Sequence, residues 1–199
     1  MAKAANGDTN AKRAEKWFTG LLQHRGHDLP AEIASQIMPW VGEYAEWSRG
    51  TGTKPRGLFV IGPIGSGKTT LCEDLVLFMR HLQRERVVIH RARRMAEDYS
   101  HFPDYLAWLR RIDNAEVMID DVGSESPAAR YGVTWSLTDY FDDRYIAWRE
   151  HGLITLATTN LLGIDELAER YGERAVSRLQ EMTDLVIYAQ KDRRQKWQF

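Results

Sequence analysis

The sequence predicts an α/β fold, a five-stranded parallel sheet flanked by helices and preceded by a short helical extension. From residue 57 onward, apolar runs of strand length alternate with longer stretches whose apolar residues recur at three- and four-residue spacings. That alternation is how parallel strands joined by crossover helices read in sequence. A glycine-rich turn stands at the first strand-to-helix junction. A chain of 199 residues has room for one such core and a small addition.

Residues 12–25 and 31–49 carry helical patterns. The second opens after Pro30 and spaces Ile37, Val41, Tyr44 and Trp47 along one face. The breakers of Gly50 to Arg56 then make a linker. The division expected is therefore 1–56, a flexible tail and short helical extension with its linker, and 57–199, the core. Within the core, Leu58 to Ile61 is the first strand. The helix from Lys68 to Gln83 aligns Leu71, Leu75, Phe78 and Leu82, and Arg86 to His90 is the second strand. A helical region at 92–111 leads to a third strand at Val117 to Ile119. A helix over 134–149 turns Leu137, Phe141, Tyr145 and Trp148 to one side. Leu153 to Thr158 is the fourth strand, short helices follow at 164–170 and 173–181, and Leu185 to Tyr188 is the fifth.

Composition excludes several classes. Hydrophobic residues at 43% and charged residues at 28% are ordinary for a globular protein, and no apolar run approaches the roughly 20 residues that cross a bilayer. Met1 to Asn10 lacks the apolar stretch of a signal peptide, so a cytoplasmic protein without a membrane partner is expected. The single cysteine, Cys72, permits neither an internal disulfide nor a cysteine-based zinc site. A formal net charge of −1 means that any nucleic-acid binding must come from a local basic patch.

Gly62-Pro63-Ile64-Gly65-Ser66-Gly67-Lys68-Thr69 fits G-x-x-x-x-G-K-[ST] between a predicted strand and a predicted helix, the setting a phosphate-binding P-loop requires. Glycines let the backbone curl so that N–H groups face the phosphates, and the helix N-terminus adds partial positive charge. Lys68 supplies a point charge to the β- and γ-phosphates of ATP, the Thr69 hydroxyl ligates Mg2+, and Thr70 completes the phosphate-binding turn.

Val117-Met118-Ile119-Asp120-Asp121 is an apolar strand delivering two carboxylates at its C-terminal end, where open parallel sheets bind ligands. Asp120 is expected to hold the magnesium ion, and Asp121 to orient or deprotonate the attacking water. Leu153 to Asn160 is a second buried strand ending in a polar cluster, and it would place Asn160 beside the γ-phosphate. Arg91, Arg93 and Arg94 are the DNA-binding candidates, in a basic stretch with Arg84 and Arg86. Tyr99, Phe102, Tyr105 and Trp108 follow, with Arg110 and Arg111 beyond, a mixture suited to phosphates and stacked bases of single-stranded DNA.

Taken with these motifs, several phrases resemble the DnaC/IstB family of AAA+ ATPases, the helicase loaders and transposition helpers of bacteria and phages. They are Gly57-Leu58-Phe59-Val60-Ile61-Gly62-Pro63, Ile119-Asp120-Asp121-Val122-Gly123-Ser124-Glu125, Asp143-Arg144-Tyr145, Ala157-Thr158-Thr159-Asn160-Leu161, Arg170-Tyr171-Gly172-Glu173-Arg174 and Ser177-Arg178-Leu179. The resemblance implies an AAA+ (RecA-like) core and a homo-oligomer in which Arg178 reaches the neighbouring subunit's nucleotide as an arginine finger, with Arg174 as a second candidate. It implies that Arg194, in Asp192-Arg193-Arg194, senses the phosphates, and the short remainder to Phe199 implies a C-terminal lid that is absent or truncated. Aspartate at 121, where glutamate is commoner, implies slow hydrolysis. The function expected is an ATP-driven switch that assembles on DNA and loads a replicative helicase. The alternatives are a transposition helper delivering a transposase, a small-molecule P-loop kinase, and a nucleotide-dependent interaction protein that hardly hydrolyses.

Overall fold

The computed structural model describes residues 9–83, 86–112, 114–126, 128–130 and 133–188. Two compact units emerge, residues 1–55 with 81–84, and residues 56–80 with 85–199. The first contains α1 (Asn10–His24) and α2 (Ala31–Trp47). The Thr9 hydroxyl caps α1 by accepting from the Lys12 N–H at 3.4 Å, satisfying a donor the first turn leaves open. The two helices approach closely at Gly42, where an added Cβ would lie 3.0 Å from that of Ala11. Along α2, Trp40 stacks on Tyr44 at 5.1 Å between centroids and Tyr44 meets Trp47 edge-on at 5.5 Å.

The second unit carries a five-stranded parallel sheet in the order β2-β3-β6-β1-β7. Its strands are β1 (Gly57–Ile61), β2 (Val87–Arg91), β3 (Glu116–Val122), β6 (Thr155–Thr159) and β7 (Thr183–Ile187). Strands β1 and β6 are buried along their whole length, which is why they read as unbroken runs instead of alternating ones. The edge strand β7 leaves Leu185 and Ile187 exposed. Gly57 is dictated by the sheet itself: a Cβ there would stand 1.9 Å from the Thr155 carbonyl oxygen on β6.

Connections depart from the expected pattern in three places. The helical region 92–111 is two helices, α4 (Ala92–His101) and α5 (Tyr105–Ile112). Pro103 disfavours helical backbone at the residue before it, and Phe102 accordingly adopts φ −105°, ψ 121°. The helix over 134–149 begins only at Leu137, where the Ser136 hydroxyl accepts from the Thr138 N–H at 3.2 Å. Residues before it form an antiparallel hairpin, β4 (Ala128–Arg130) with β5 (Val133–Trp135). After α6 (Leu137–Ile146) the chain widens into a π-helical turn, Ala147–His151, closed by Gly152 at φ 70°. Helices α7 (Ile164–Tyr171) and α8 (Glu173–Met182) follow β6, and β7 starts directly after α8.

The core gathers apolar side chains of the sheet with those of α4, α6, α7 and α8. Arg144 of α6 is buried as well, 1% exposed. Its guanidinium donates to the Ala115 carbonyl at 3.2 Å, the Ile154 carbonyl at 3.3 Å and the Thr155 hydroxyl at 3.1 Å. These bonds tie α6 to the entry ends of β3 and β6. Arg144→Met is therefore expected to lower stability by about 2 kcal/mol, because the hydrophobic replacement fills the space but removes the donors to the Ala115 carbonyl and the Thr155 hydroxyl, while the Ile154 carbonyl keeps the Val117 N–H. Equilibrium denaturation in urea measures it.

Candidate nucleotide site

Strand β6 lies between β1 and β3, so the segments leaving their C-terminal ends meet at one edge of the sheet. The turn after β1 holds Gly65 at φ 75° and Gly67 at φ 107°, a left-handed backbone that side-chain-bearing residues avoid. Gly62 answers a different need, since a Cβ there would sit 2.3 Å from the Tyr188 carbonyl oxygen. Lys68 opens α3 (Lys68–Gln83) and folds back over the turn. Its Nζ donates to the Pro63 carbonyl and to Asn160 Oδ1, both at 2.8 Å. The buried Ser66 hydroxyl finds no protein partner among the described residues.

The acidic side is equally connected. Asp120 Oδ1 accepts from the Thr69 hydroxyl at 2.7 Å and from the Thr158 hydroxyl at 2.8 Å, and Thr158 Oγ1 itself accepts from the Asp121 N–H at 2.8 Å. Asn160 Nδ2 donates to Asp121 Oδ1. A bulge between Ile119 and Val122 turns Asp121 to φ 60°, the one positive φ on a non-glycine residue among those described. The resulting cleft, about 350 Å³, has Ile64, Gly65, Gly67, Lys68, Thr69 and Thr70 on one side. Arg91, Asp120, Asp121 and Asn160 line the other.

Burial, and then the charge of Asp120, push the Asp121 carboxyl above its ordinary range, against the opposing pull of Lys68 and a hydrogen bond from Ser124. Burial also pushes the Cys72 thiol far up, so it packs as an inert apolar side chain. The Thr69 hydroxyl and Asp120 carboxylate, already in contact, form the hard oxygen pair that suits Mg2+ completed by water and phosphate oxygens.

The structure thus brings Lys68, Thr69, Asp120, Asp121 and Asn160 together, with the glycine turn around them. Arg91 also lines this cleft, facing Asp120 across the β2–β3 register, although the sequence groups it with the DNA-binding candidates. Arg93 and Arg94 stand on α4 and pair with acids of the same helix: Arg93 with Glu97 at 3.1 Å, Arg94 with Glu97 at 3.5 Å and with Asp98 at 2.9 Å. Arg178 does not line the cleft. It ion-pairs with Asp142 of α6 and lies 5.2 Å from the Tyr145 ring centroid, while Arg174 is 3.8 Å from Asp142. Arg84 and Arg194 fall outside the described residues. Sequence reasoning assigned no role to Thr158, which bridges the two aspartates, although a hydroxyl inside a buried strand is the signal that could have found it.

A phosphate turn after β1, an acidic pair on β3 and an asparagine just past the strand inserted between them give the sheet the arrangement of a P-loop nucleotide-binding fold. Among solved structures, the DnaC helicase loader superposes with a TM-score of 0.62 at 18% identity, over 86% of this chain and 98% of that one. DnaI superposes with a TM-score of 0.65 at 18% identity, over 88% and 93%. AMPPCP-bound DnaA from Aquifex aeolicus gives 0.58 at 18% identity, over 80% of this chain and 48% of that one. The core thus shares the fold of the DnaC helicase loader and DnaI. No family model and no curated protein sequence matches the chain.

Because the folded-state pKa of Asp121 is raised, ionising it costs more in the fold than in the unfolded chain, a cost that builds as pH rises from the ordinary carboxylate value through the raised one. Asparagine removes the charge and tolerates positive φ. Asp121→Asn is expected to raise the melting temperature by about 2 °C near neutral pH, with the gain disappearing as the pH falls far enough to protonate Asp121. Scanning calorimetry across that range measures it.

Proposed function

We propose that this protein is an ATP-binding and hydrolysing AAA+ switch that assembles on single-stranded DNA and loads a replicative helicase. The observation that carries the reading is the convergence of Lys68, Thr69, Asp120, Asp121 and Asn160 on one cleft at the ends of three adjacent strands. The shared fold with the DnaC helicase loader and DnaI supports the partner class.

Residues 62–70 cradle the triphosphate, and Lys68 exchanges its bonds to Pro63 and Asn160 for phosphate oxygens. Thr69 and Asp120 hold Mg2+, which neutralises phosphate charge when bound. Asp121, steadied by Asn160, orients the attacking water and accepts its proton as the Pγ–O bond to ADP breaks. Arg178 leaves Asp142 to stabilise the transferring phosphoryl group on a neighbouring copy, so hydrolysis requires a homo-oligomer. Arg194 joins the phosphate-sensing set. In the wider organisation, residues 1–56 form the extension that docks a partner and 57–199 the ATPase core.

The DNA surface proposed is α4 and α5. Phe102 and Trp108 are exposed there and can stack on bases, Trp108 with its ring beside that of Tyr105 at 5.7 Å, whereas Tyr99 and Tyr105 are buried in the core. The ion pairs of Arg93 and Arg94 are exposed and weak, so phosphates can displace their partners. Exposed aromatics favour single strands over duplex, and with them a helicase over the transposase of a transposition helper.

Calorimetric titration with Mg-ATP is expected to show one site per chain, and Lys68→Ala to weaken it at least about tenfold, the loss of one charge-assisted contact. Unchanged affinity in that variant overturns the reading. Single-stranded DNA is expected to stimulate ATP turnover, less so after Trp108→Ala. Arg178→Ala and Lys68→Ala are each expected to be inactive yet to regain turnover on mixing, since one retains the nucleotide site and the other the arginine. Failure of mixing to restore any activity removes Arg178 from its role in trans.

A further inference from the structure

Directly after the two aspartates the chain makes a tight loop, Gly123 to Glu125, and Glu125 turns back into the protein with 8% of its surface exposed. A buried carboxylate must be compensated, and this one is compensated from two directions. From its own loop, Glu125 Oε2 accepts the Gly123 N–H at 2.9 Å. From the end of α7, Oε1 accepts the Tyr171 hydroxyl at 2.6 Å and Arg170 Nε at 3.2 Å, while Arg170 Nη2 donates to the Glu125 carbonyl.

None of these groups lines the cleft, yet the loop they hold is bonded to Asp121, which does. Ser124 N–H donates to the Asp121 carbonyl at 3.0 Å, and Gly123 sits at φ 96° where an added Cβ would meet Leu161 at 3.0 Å. The left-handed backbone of Asp121 costs free energy in isolation, so the surroundings must over-determine it. On the β6 side that is done by Thr158 and Asn160, and on the other side the bonded route runs through Ser124 and Gly123 to Glu125.

The anchor is itself fixed. Tyr171 packs edge-on against Phe141 of α6 at 5.3 Å, and its carbonyl accepts the Thr138 hydroxyl at 3.2 Å. Burial and the Glu125 bond push the Tyr171 hydroxyl well above its ordinary value, so it remains a donor throughout the working pH range.

The geometry points to Glu125 as a positioning residue for hydrolysis, fastened by Arg170 and Tyr171 of α7 so that the loop after β3 holds the Asp121 carboxylate in its water-orienting place. This rests on the proposed role of Asp121. Arg170 and Tyr171 act through Glu125 and touch no nucleotide.

The test compares Glu125→Ala, Glu125→Gln, Tyr171→Phe and Asp121→Asn by ATP affinity and single-turnover hydrolysis on assembled protein. Glu125→Ala is expected to keep ATP affinity within about twofold and to slow hydrolysis at least about tenfold. Glu125→Gln, whose one amide oxygen still accepts from Tyr171 and Arg170 while its NH2 cannot accept the Gly123 N–H, recovers part of that loss. In the Asp121→Asn background, Glu125→Ala adds nothing, because both act at one step. Tyr171→Phe removes only the hydroxyl that holds Glu125 and carries the comparison should Glu125→Ala fail to fold, with a smaller slowing expected at unchanged affinity. If Asp121→Asn hydrolyses at the parent rate, both the role of Asp121 and this inference fail. If Asp121→Asn is inactive while Glu125→Ala and Tyr171→Phe turn over normally, or lose affinity in step with rate, the inference alone fails.

Discussion

The arrangement depends on one electrostatic constraint: two adjacent carboxylates, Asp120 and Asp121, are held at the partly dehydrated end of a parallel sheet, facing the ammonium of Lys68. Like charges in such a place repel and desolvation penalises each, so the surrounding groups are donors. Thr69 and Thr158 serve Asp120, while the Asn160 amide and Ser124 serve Asp121. Lys68 meanwhile rests on the Pro63 and Asn160 oxygens. A triphosphate with a divalent ion fits this system, because phosphate oxygens complement the Lys68 ammonium and the cation complements the acidic pair.

Sheet topology makes the constraint attainable. Inserting β6 between β1 and β3 puts Asn160 between the phosphate turn and the acids, so one side chain contacts Lys68 with its oxygen and Asp121 with its nitrogen. At the opposite end of the same strands, Arg144 fastens α6 to the start of β6 and to the residue before β3. The candidate site is thus built on strands whose other end is tied into the core, the rigidity that a preorganised polar site needs.

Helices α6, α7 and α8 link this end of the sheet to the groups proposed to act between copies. Arg178 and Arg174 of α8 gather around Asp142 of α6, and Arg170 and Tyr171 of α7 grip Glu125 beside the acidic loop. On the other flank, α4 begins immediately after Arg91, which lines the cleft, so the proposed DNA-facing helix and the nucleotide site share one strand end.

The sequence by itself determined the five strands and their chain order, the phosphate turn and the acidic pair. Those features are local: strand burial follows from apolar runs, and the turn from glycines that alone accept φ 75° and φ 107°. It did not determine the break at Phe102, the hairpin β4–β5 or the π-helical turn, because weak local preferences there compete with packing. Nor did it place Arg91 in the cleft, bury Tyr99 and Tyr105 while exposing Phe102 and Trp108, or close Glu125 onto Arg170 and Tyr171. Glu125 and Arg170 stand 45 positions apart in the chain. Contacts over such separations are set by which helix faces which strand end, and only the tertiary structure decides that.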